Sequence, residues 1–382
     1  MRYDIPFNRP FMVGNELAYI RDAVEQGHLA GDGAYTKKCH AWMERAFRAL
    51  RVFLTPSCTA ALEMAALLCR LRPGDEVILS SYTFVSTANA FVLHGARPVF
   101  VDIRPDTLNL DETRIEAALT DRTRAIVPTH YAGVACEMDR IMELAARREI
   151  TVVEDAAQGV NATYKGRFLG TLGHLGCYSF HETKNLIAGE GGALVLSRED
   201  DVEHAEIIRE KGTNRSKFLR GQVDKYSWVA VGSSYLPSEL VAAFLYAQLE
   251  ECERITRQRR GIYDYYAEHL AHLERQGALR LPRVPVECAH NGHMFYVLLT
   301  DGAVRHRLIA HLEARSILAV FHYVPLHTSP MGRQYGYKGG ELPVTESSSE
   351  RLLRLPCYFS LTRSDQDRVI EAIDEFFSSG AA

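Results

Sequence analysis

Between residues 50 and 200, seven short apolar runs alternate with stretches of helical spacing, and this alternation limits the fold more than anything else in the chain. The runs are VFLT (52–55), EVILS (76–80), PVFVDI (98–103), AIVPTHY (125–131), TVVED (151–155), CYSF (177–180) and ALVLS (193–197). The segments 58–70, 84–94, 111–119 and 138–148 between them carry a helical period. Runs that are apolar throughout belong to strands buried on both faces. Helices must therefore cover both sides of a mostly parallel sheet, an α/β architecture. The last connections are short, which predicts one antiparallel strand near the end of the series.

The rest of the chain reads as an addition to that sheet. Residues 238–275 predict one long helix linking two units. HMFYVLL (293–299), the helical pattern 303–314 and ILAVFHYV (317–324) predict a smaller α+β unit, completed by helices near 346–353 and 363–377. The Gly- and Pro-rich stretch 325–345 predicts a loop. Residues 1–250 are thus expected to form a large unit with an N-terminal segment, and residues 251–382 a small one. A chain of 382 residues is long enough for both.

Composition excludes several classes. The formal net charge is −4, so no basic field argues for nucleic acid, and the run RITRQRR (254–260) reads as a solvated helix face. No apolar run reaches the length of a membrane span, and the first residues lack the apolar core of a signal peptide. Eight scattered cysteines without CxxC spacing predict free thiols in a reduced, cytoplasmic protein, with neither a zinc site nor a disulfide framework.

In open α/β sheets ligands gather beyond the carboxyl ends of the strands. Here those ends carry Ser57-Cys58-Thr59 after VFLT, Phe84 shortly after EVILS, Asp155 at the end of TVVED, and Ser179, His181 and Lys184 after CYSF. A carboxylate and a lysine at two such ends match the needs of pyridoxal 5′-phosphate. That cofactor requires a lysine to hold its aldehyde and an acid to keep its pyridine nitrogen charged. Each residue also has an ordinary reading. Ser57 or Thr59 would cap a helix, Asp155 would cap a turn, Lys184 would sit in a surface loop, Phe84 would belong to the core, and His181 would make a structural hydrogen bond. With Asp155 and Lys184 taken together, the helix start at Ser57–Thr59 reads better as a phosphate site, because its N–H groups and dipole suit an anion. Cys58 reads as packing or backbone rather than as a nucleophile.

PSCTAALEMAALL (56–68), PGDEVILSSYTFVSTANAFVLHGARPVFVDI (73–103), VEDAAQG (153–159), SFHETKN (179–185) and GEGGALV (189–195) resemble, in order and spacing, the DegT/DnrJ/EryC1/StrS family of sugar aminotransferases. The resemblance covers nearly the whole chain. It implies an aspartate-aminotransferase-like fold (fold type I), a homodimer with active sites at the interface, and pyridoxal 5′-phosphate as cofactor, with pyridoxamine 5′-phosphate as its amine-carrying form. By motif position Lys184 bonds the aldehyde, Asp155 contacts the pyridine nitrogen and Gln158 lies near the ring oxygen. Ser179 and the turn at Cys58–Thr59 contact the phosphate, and Phe84 stacks on the ring. The amino donor is implied to be L-glutamate. ACEMD (135–139), EKGTNRSKFLRGQVDKYSW (210–228) and AVFHYVPLH (319–327) are similar to members that aminate C4 of a dTDP-linked 4-keto-6-deoxyhexose.

The nucleotide sugar brings negative charge, for which Arg215, Arg220, Lys225 and Tyr226 in one stretch, and His322, Tyr323 and His327 in another, are the candidates, together with His181. Each would otherwise be a surface or loop residue. One departure from the family is Ser234 in GSSYLPSEL, where many relatives carry an asparagine that reaches the partner's cofactor phosphate. Relatives that remove a sugar hydroxyl carry histidine in place of the lysine, so Lys184 favours amino transfer. A transaminase acting at C3 or on a UDP-sugar, a dehydratase, and a noncatalytic regulator are the other readings.

Overall fold

The computed structural model describes residues 3–379. All seven apolar runs become strands of one sheet: β1 (Arg51–Thr55), β2 (Glu76–Ser80), β3 (Arg97–Val101), β4 (Thr123–Val127), β5 (Thr151–Asp155), β8 (Leu175–Ser179) and β9 (Gly192–Leu196). Two short strands, β6 (Thr163–Tyr164) and β7 (Arg167–Phe168), interrupt the series and pair with β11 (Cys288–Ala289). The main sheet has the order β1-β9-β8-β5-β4-β2-β3. It is parallel except for β9, which runs antiparallel to both β1 and β8, as the short final connections predict. Every residue of β2, β8 and β9 is buried, which is why these strands read as continuous apolar runs.

The excursion between β5 and β8 is pinned from inside. Glu154 accepts the backbone N–H groups of Gly170, Leu172 and Gly173 at 2.5–2.7 Å and bonds His130 Nε2 at 2.7 Å, with both side chains fully buried. A buried carboxylate is stable only when its lone pairs are filled in this way.

The expected long helix is two helices, Glu239–Glu250 and Cys252–Arg275, with Glu251 between them at φ −101° and ψ 10°. The apolar residues of the chain change allegiance along this stretch. Leu245, Leu249, Cys252 and Ile255 pack into the core of the main sheet, whereas Ile262, Tyr266, Leu270 and Leu273 pack into a second core. One straight helix face cannot serve both. The expected solvated face 254–260 also needs correction, because Arg259 is 1% exposed and donates to the carbonyls of Gly292, His293 and Cys357.

The second core surrounds a three-stranded antiparallel sheet of β10 (Leu279–Arg280), β12 (Phe295–Leu299) and β13 (Leu352–Leu355), flanked by the helices Gly302–Glu313 and Arg363–Ser378. Ile5 joins it through a bridge to Ile317. Residues 317–324 do not form the expected strand. Only Ile317 and Val320 find bridge partners, and the carbonyls of His322 and Tyr323 are taken by the hydroxyls of Tyr82 and Ser349. The expected helix near 346–353 is Pro343–Arg351, and its last residues pass into β13. The expected loop 325–345 carries one short helix, Pro330–Gln334. Among the described residues no helix is long and apolar enough to cross a membrane.

Candidate active site

The parallel strands and the reversed β9 bring Thr55, Asp155, Ser179 and Gly192 to one rim of the main sheet. A cavity of about 660 Å³ opens there, within the usual size of a small-molecule site. Its walls include Cys58, Thr59, Phe84, Asp155, Gln158, Ser179, His181, Lys184, His322 and Tyr323, so ten of the residues singled out in the sequence meet at one place.

On one side the helix Cys58–Leu68 begins at the cavity. Ser57 caps it, its Oγ accepting from Ala60 N at 3.1 Å, and Ala61 N reaches Ser57 O. Among the described residues the N–H groups of Cys58 and Thr59 have no acceptor, and they stand at the positive end of the helix dipole. Thr59 Oγ1 donates to Ser86 Oγ at 2.8 Å, and the Ser179 hydroxyl has only a 3.5 Å contact from His181 N. Gly192, opposite this turn, is required by the close approach: a Cβ there would stand 2.5 Å from Cys58 N. The result is a small concavity lined with open N–H groups, of the kind that holds a phosphate.

Asp155 is 4% exposed and held at both oxygens, by Thr87 Oγ1 at 2.6 Å and by Ala157 N at 3.1 Å. Thr87 is itself bonded to Thr83, and Thr83 to Thr129. The carboxylate therefore points in a fixed direction. Gln158 bridges the two walls: its Oε1 accepts from Ala132 N at 2.6 Å and its Nε2 donates to the Tyr323 hydroxyl at 3.1 Å. Phe84 is 58% exposed at the start of the helix Val85–Val92, its ring 6.5 Å from that of Tyr323. An aromatic ring presented to a cavity rather than to the core is free to stack on a ligand.

Lys184 follows a turn in which its N–H bonds His181 O, and among the described residues its ammonium has no hydrogen bond or ion pair. Burial lowers its pKa below the ordinary lysine range, and Arg354 pushes in the same direction. Cys58 and Asp155 oppose the shift. A lysine with an enlarged neutral fraction is a competent nucleophile toward a carbonyl.

The far wall went unread in the sequence. His293, Met294, Val320, Phe321, Arg354 and Cys357 line it together with Phe7 from the N-terminal segment. Burial, then Lys184, Arg259 and Arg354, hold His293 well below its ordinary pKa, and its Nδ1 meets Asn185 Oδ1 at 2.9 Å. His322 is likewise held neutral by burial and by Arg354, with Nδ1 3.0 Å from the Tyr131 hydroxyl. The one available signal was a charged residue inside the apolar run LLRL, which marks Arg354.

Other candidates lie elsewhere. His327 is fully buried outside the cavity, between Ser81 and Glu346 at 2.7 and 2.9 Å. Within one chain the segment 215–226 does not reach the cavity. Arg220 forks onto Glu206, Arg215 lies 3.7 Å from Glu210, Lys225 is exposed, and the exposed Tyr226 packs on Phe218. Ser234 is exposed and bridges Glu210.

Comparison with known proteins agrees with this arrangement. The model of the DegT/DnrJ/EryC1/StrS aminotransferase family matches residues 11–374. The spore coat polysaccharide biosynthesis protein SpsC of Bacillus subtilis is 33% identical over 378 residues, covering 97% of this chain and 96% of that protein. The solved structure of the aminotransferase TlmJ from Streptoalloteichus hindustanus superimposes with a TM-score of 0.90 at 31% identity, over 99% of this chain and 100% of TlmJ. DesV of S. venezuelae, solved in complex with a ketimine intermediate, gives 0.89 at 30% identity over 98% and 99%. With a match over almost its whole length, the chain belongs to the DegT/DnrJ/EryC1/StrS aminotransferase family.

Proposed function

We propose that this sugar aminotransferase moves an amino group from L-glutamate to C4 of dTDP-4-keto-6-deoxy-D-glucose, giving dTDP-4-amino-4,6-dideoxy-D-galactose and 2-oxoglutarate. The observation that carries the reading is the meeting, in one cavity, of an unpartnered lysine, a doubly held carboxylate and two open helix N–H groups. These are the three attachments that pyridoxal 5′-phosphate needs, and the residues fit it. Cys58 N–H, Thr59 N–H and the Ser179 hydroxyl would hold the phosphate. Asp155 would pair with the pyridine nitrogen, Gln158 would serve the ring oxygen, and Phe84 would cover the ring.

When bound, the cofactor supplies an aldehyde that exchanges amino groups and a ring that withdraws electrons from the carbon undergoing exchange. Lys184 would hold the aldehyde and would move the proton at the glutamate α-carbon through its Nζ. In the second half-reaction the same Nζ would hold the proton destined for C4 of the sugar. The side of the sugar facing Lys184 sets whether the new amine is axial. Thr87 and Ala157 fix both oxygens of Asp155, so its carboxylate would meet the ring in one orientation.

The assembly we propose is a homodimer, with residues 1–250 and 251–382 as the two units of each protomer. Trp228 is 78% exposed, and Val229 and Val231 near it in the chain are also exposed, an apolar stretch suited to a partner subunit. From there the segment 215–226 and Ser234 are the parts that would reach the neighbouring cavity and its sugar nucleotide. The product suits a surface polysaccharide such as enterobacterial common antigen.

The test is an absorbance scan of the purified holoprotein. The cofactor's visible band is expected to bleach with L-glutamate and return with dTDP-4-keto-6-deoxyglucose. Bleaching without return excludes this sugar, and a protein that takes up no cofactor excludes the reaction.

A further inference from the structure

A second cavity, of about 260 Å³, shares no lining residue with the first. Pro105, shortly after β3 of the main sheet, forms one side of it. Arg280 of β10 and Ser347, Ser348 and Arg351 of the helix Pro343–Arg351 form the other. One Nη of Arg280 donates to Pro105 O, while its Nε is buried and has no partner. Arg351 donates only through Nε, to Ser347 O at 3.3 Å, which leaves both of its Nη groups open. Among the described residues neither guanidinium has a carboxylate within ion-pair distance. Asp106 acts on Arg280 from farther away, but Arg104 already forks it at 3.0 and 2.8 Å, and Glu274 is taken by Arg283 at 3.0 Å. Burial lowers the pKa of Arg280 from the ordinary arginine range. Tyr296 and Asp106 oppose the shift, and Arg351 and Arg283 add to it, so the two lining arginines feel each other's charge. Ser348 is 2% exposed and lines the same cavity, yet among the described residues its hydroxyl bonds to nothing. A buried serine inside a helix ordinarily returns its proton to the carbonyl one turn back, so a free hydroxyl here is an open donor.

We propose that this cavity is a binding site for a phosphoryl group, carried by free phosphate or by a small phosphate ester. The donors come from two guanidiniums and two hydroxyls on different elements. A carboxylate lies in one plane and is filled by a single fork, whereas a tetrahedral anion offers oxygens to donors that converge from several sides. Like charges held together without an acid are costly until an anion arrives between them. The volume lies below the roughly 300 Å³ at which sites for drug-sized ligands begin, so it suits a phosphate or a short ester better than a nucleotide. The anion would also act as a clamp. Asp102, just after β3, already holds the start of the helix through Val344 N, Thr345 N and Thr345 Oγ1 at 2.8–3.1 Å. A phosphate between Arg280 and Arg351 would fasten the other end of that helix, which runs directly into β13 and so toward Arg354 on the wall of the first cavity.

The experiment is calorimetric titration of the holoprotein with inorganic phosphate in a phosphate-free buffer. Saturating pyridoxal 5′-phosphate keeps its own cradle filled. Wild type is compared with Arg280→Gln and Arg351→Gln, and chloride at matched ionic strength is the control for general screening. Wild type should bind phosphate, and its thermal midpoint should rise with phosphate concentration. Loss of one charge-assisted partner should weaken binding by roughly 10- to 100-fold in each variant. Both variants should keep the wild-type cofactor band and its bleaching by glutamate, which reports that they fold. Glycerol 3-phosphate, titrated in parallel, separates the two sources: equal or tighter binding points to an ester, and binding of inorganic phosphate alone to the free anion. Phosphate affinity within threefold of wild type in both variants overturns the proposal, as does an equal response to chloride. Phosphate binding that dTDP displaces and the variants leave unchanged also overturns it, since that would place the anion in the first cavity. Should the variants not fold, phosphate must slow phenylglyoxal modification of Arg351 in the wild-type holoprotein, read by mass spectrometry, and absence of protection overturns the assignment.

Discussion

Gly192→Ala probes the phosphate cradle where its geometry is tightest. Gly192 opens β9 and lies between Thr55 and Ser179 in the sheet register. A methyl group there would stand 2.5 Å from Cys58 N, about 0.9 Å inside the 3.4 Å at which ordinary contact begins. The atoms it meets are backbone, so the first turn of the helix Cys58–Leu68 or the strand must shift by a comparable amount. Overpacking of this kind costs about 1–3 kcal/mol of stability. The effect on the cofactor is more specific. A hydrogen bond lengthened by nearly 1 Å is largely lost. One charge-assisted bond from Cys58 or Thr59 N–H to the phosphate is worth about 1.5–3 kcal/mol, or roughly 10- to 150-fold in affinity. The assay is titration of the apoprotein with pyridoxal 5′-phosphate, followed by visible absorbance, with pyridoxal as the control that lacks the phosphate. The variant should lose affinity for the phosphorylated form and keep it for pyridoxal. Equal losses for both, or a phosphorylated form bound within threefold of wild type, would refute the cradle.

Three other perturbations have signs fixed by the structure. Burial lowers the Lys184 pKa below its ordinary 10.5, so between the lowered value and 10.5 the unfolded chain binds the proton more readily. Apoprotein stability should rise with pH across that window; Lys184→Met should flatten this rise in denaturant titrations and abolish the bleaching by glutamate. His40 is pushed down to about 3, first by burial and then by Arg209 and Arg51, while its Nε2 accepts from Leu54 N. Its contribution is complete above pH 6.5 and should fall by about 1.4 kcal/mol per unit as the pH drops toward 3. His40→Gln, whose amide oxygen can take the Leu54 N–H, should move the acid-unfolding midpoint to lower pH. Glu154→Ala strips a buried histidine and three N–H groups of their acceptor, and equilibrium urea unfolding should show a loss of about 3–5 kcal/mol.

The half of the site on the main sheet was legible because it is built locally. Asp155, Ser179 and the Ser57–Thr59 turn stand at the ends of runs whose apolar character marks them as buried strands, and the rim follows once the strands are parallel. The small unit was less so. Residues 317–324 are as apolar as a strand, yet they do not become one, because Tyr82 and Ser349 take the carbonyls that a ladder would use. No spacing in the sequence announces a side chain that arrives from more than 200 residues away. The helix break at Glu251 escaped for a similar reason: helical periodicity continues through it, and only the existence of two cores requires the turn.

Arg259 shows how such distant pieces become one wall. It is buried without a carboxylate partner among the described residues, and its bonds go to the carbonyls of Gly292, His293 and Cys357. Asn291 reaches Gln158 O and Val160 O, while Asn185, the neighbour of Lys184, donates to Asn291 O and meets His293. The lysine-bearing turn, the Gln158 turn and the end of β13 that carries Arg354 are therefore tied through backbone carbonyls rather than through ion pairs. Carbonyls move only with the backbone, so this tie fixes the separation of Lys184 and Arg354 more firmly than contacts between flexible side chains would. A transaminase needs that firmness, because proton movement through Lys184 Nζ depends on how closely the opposite wall holds the reacting carbon against it.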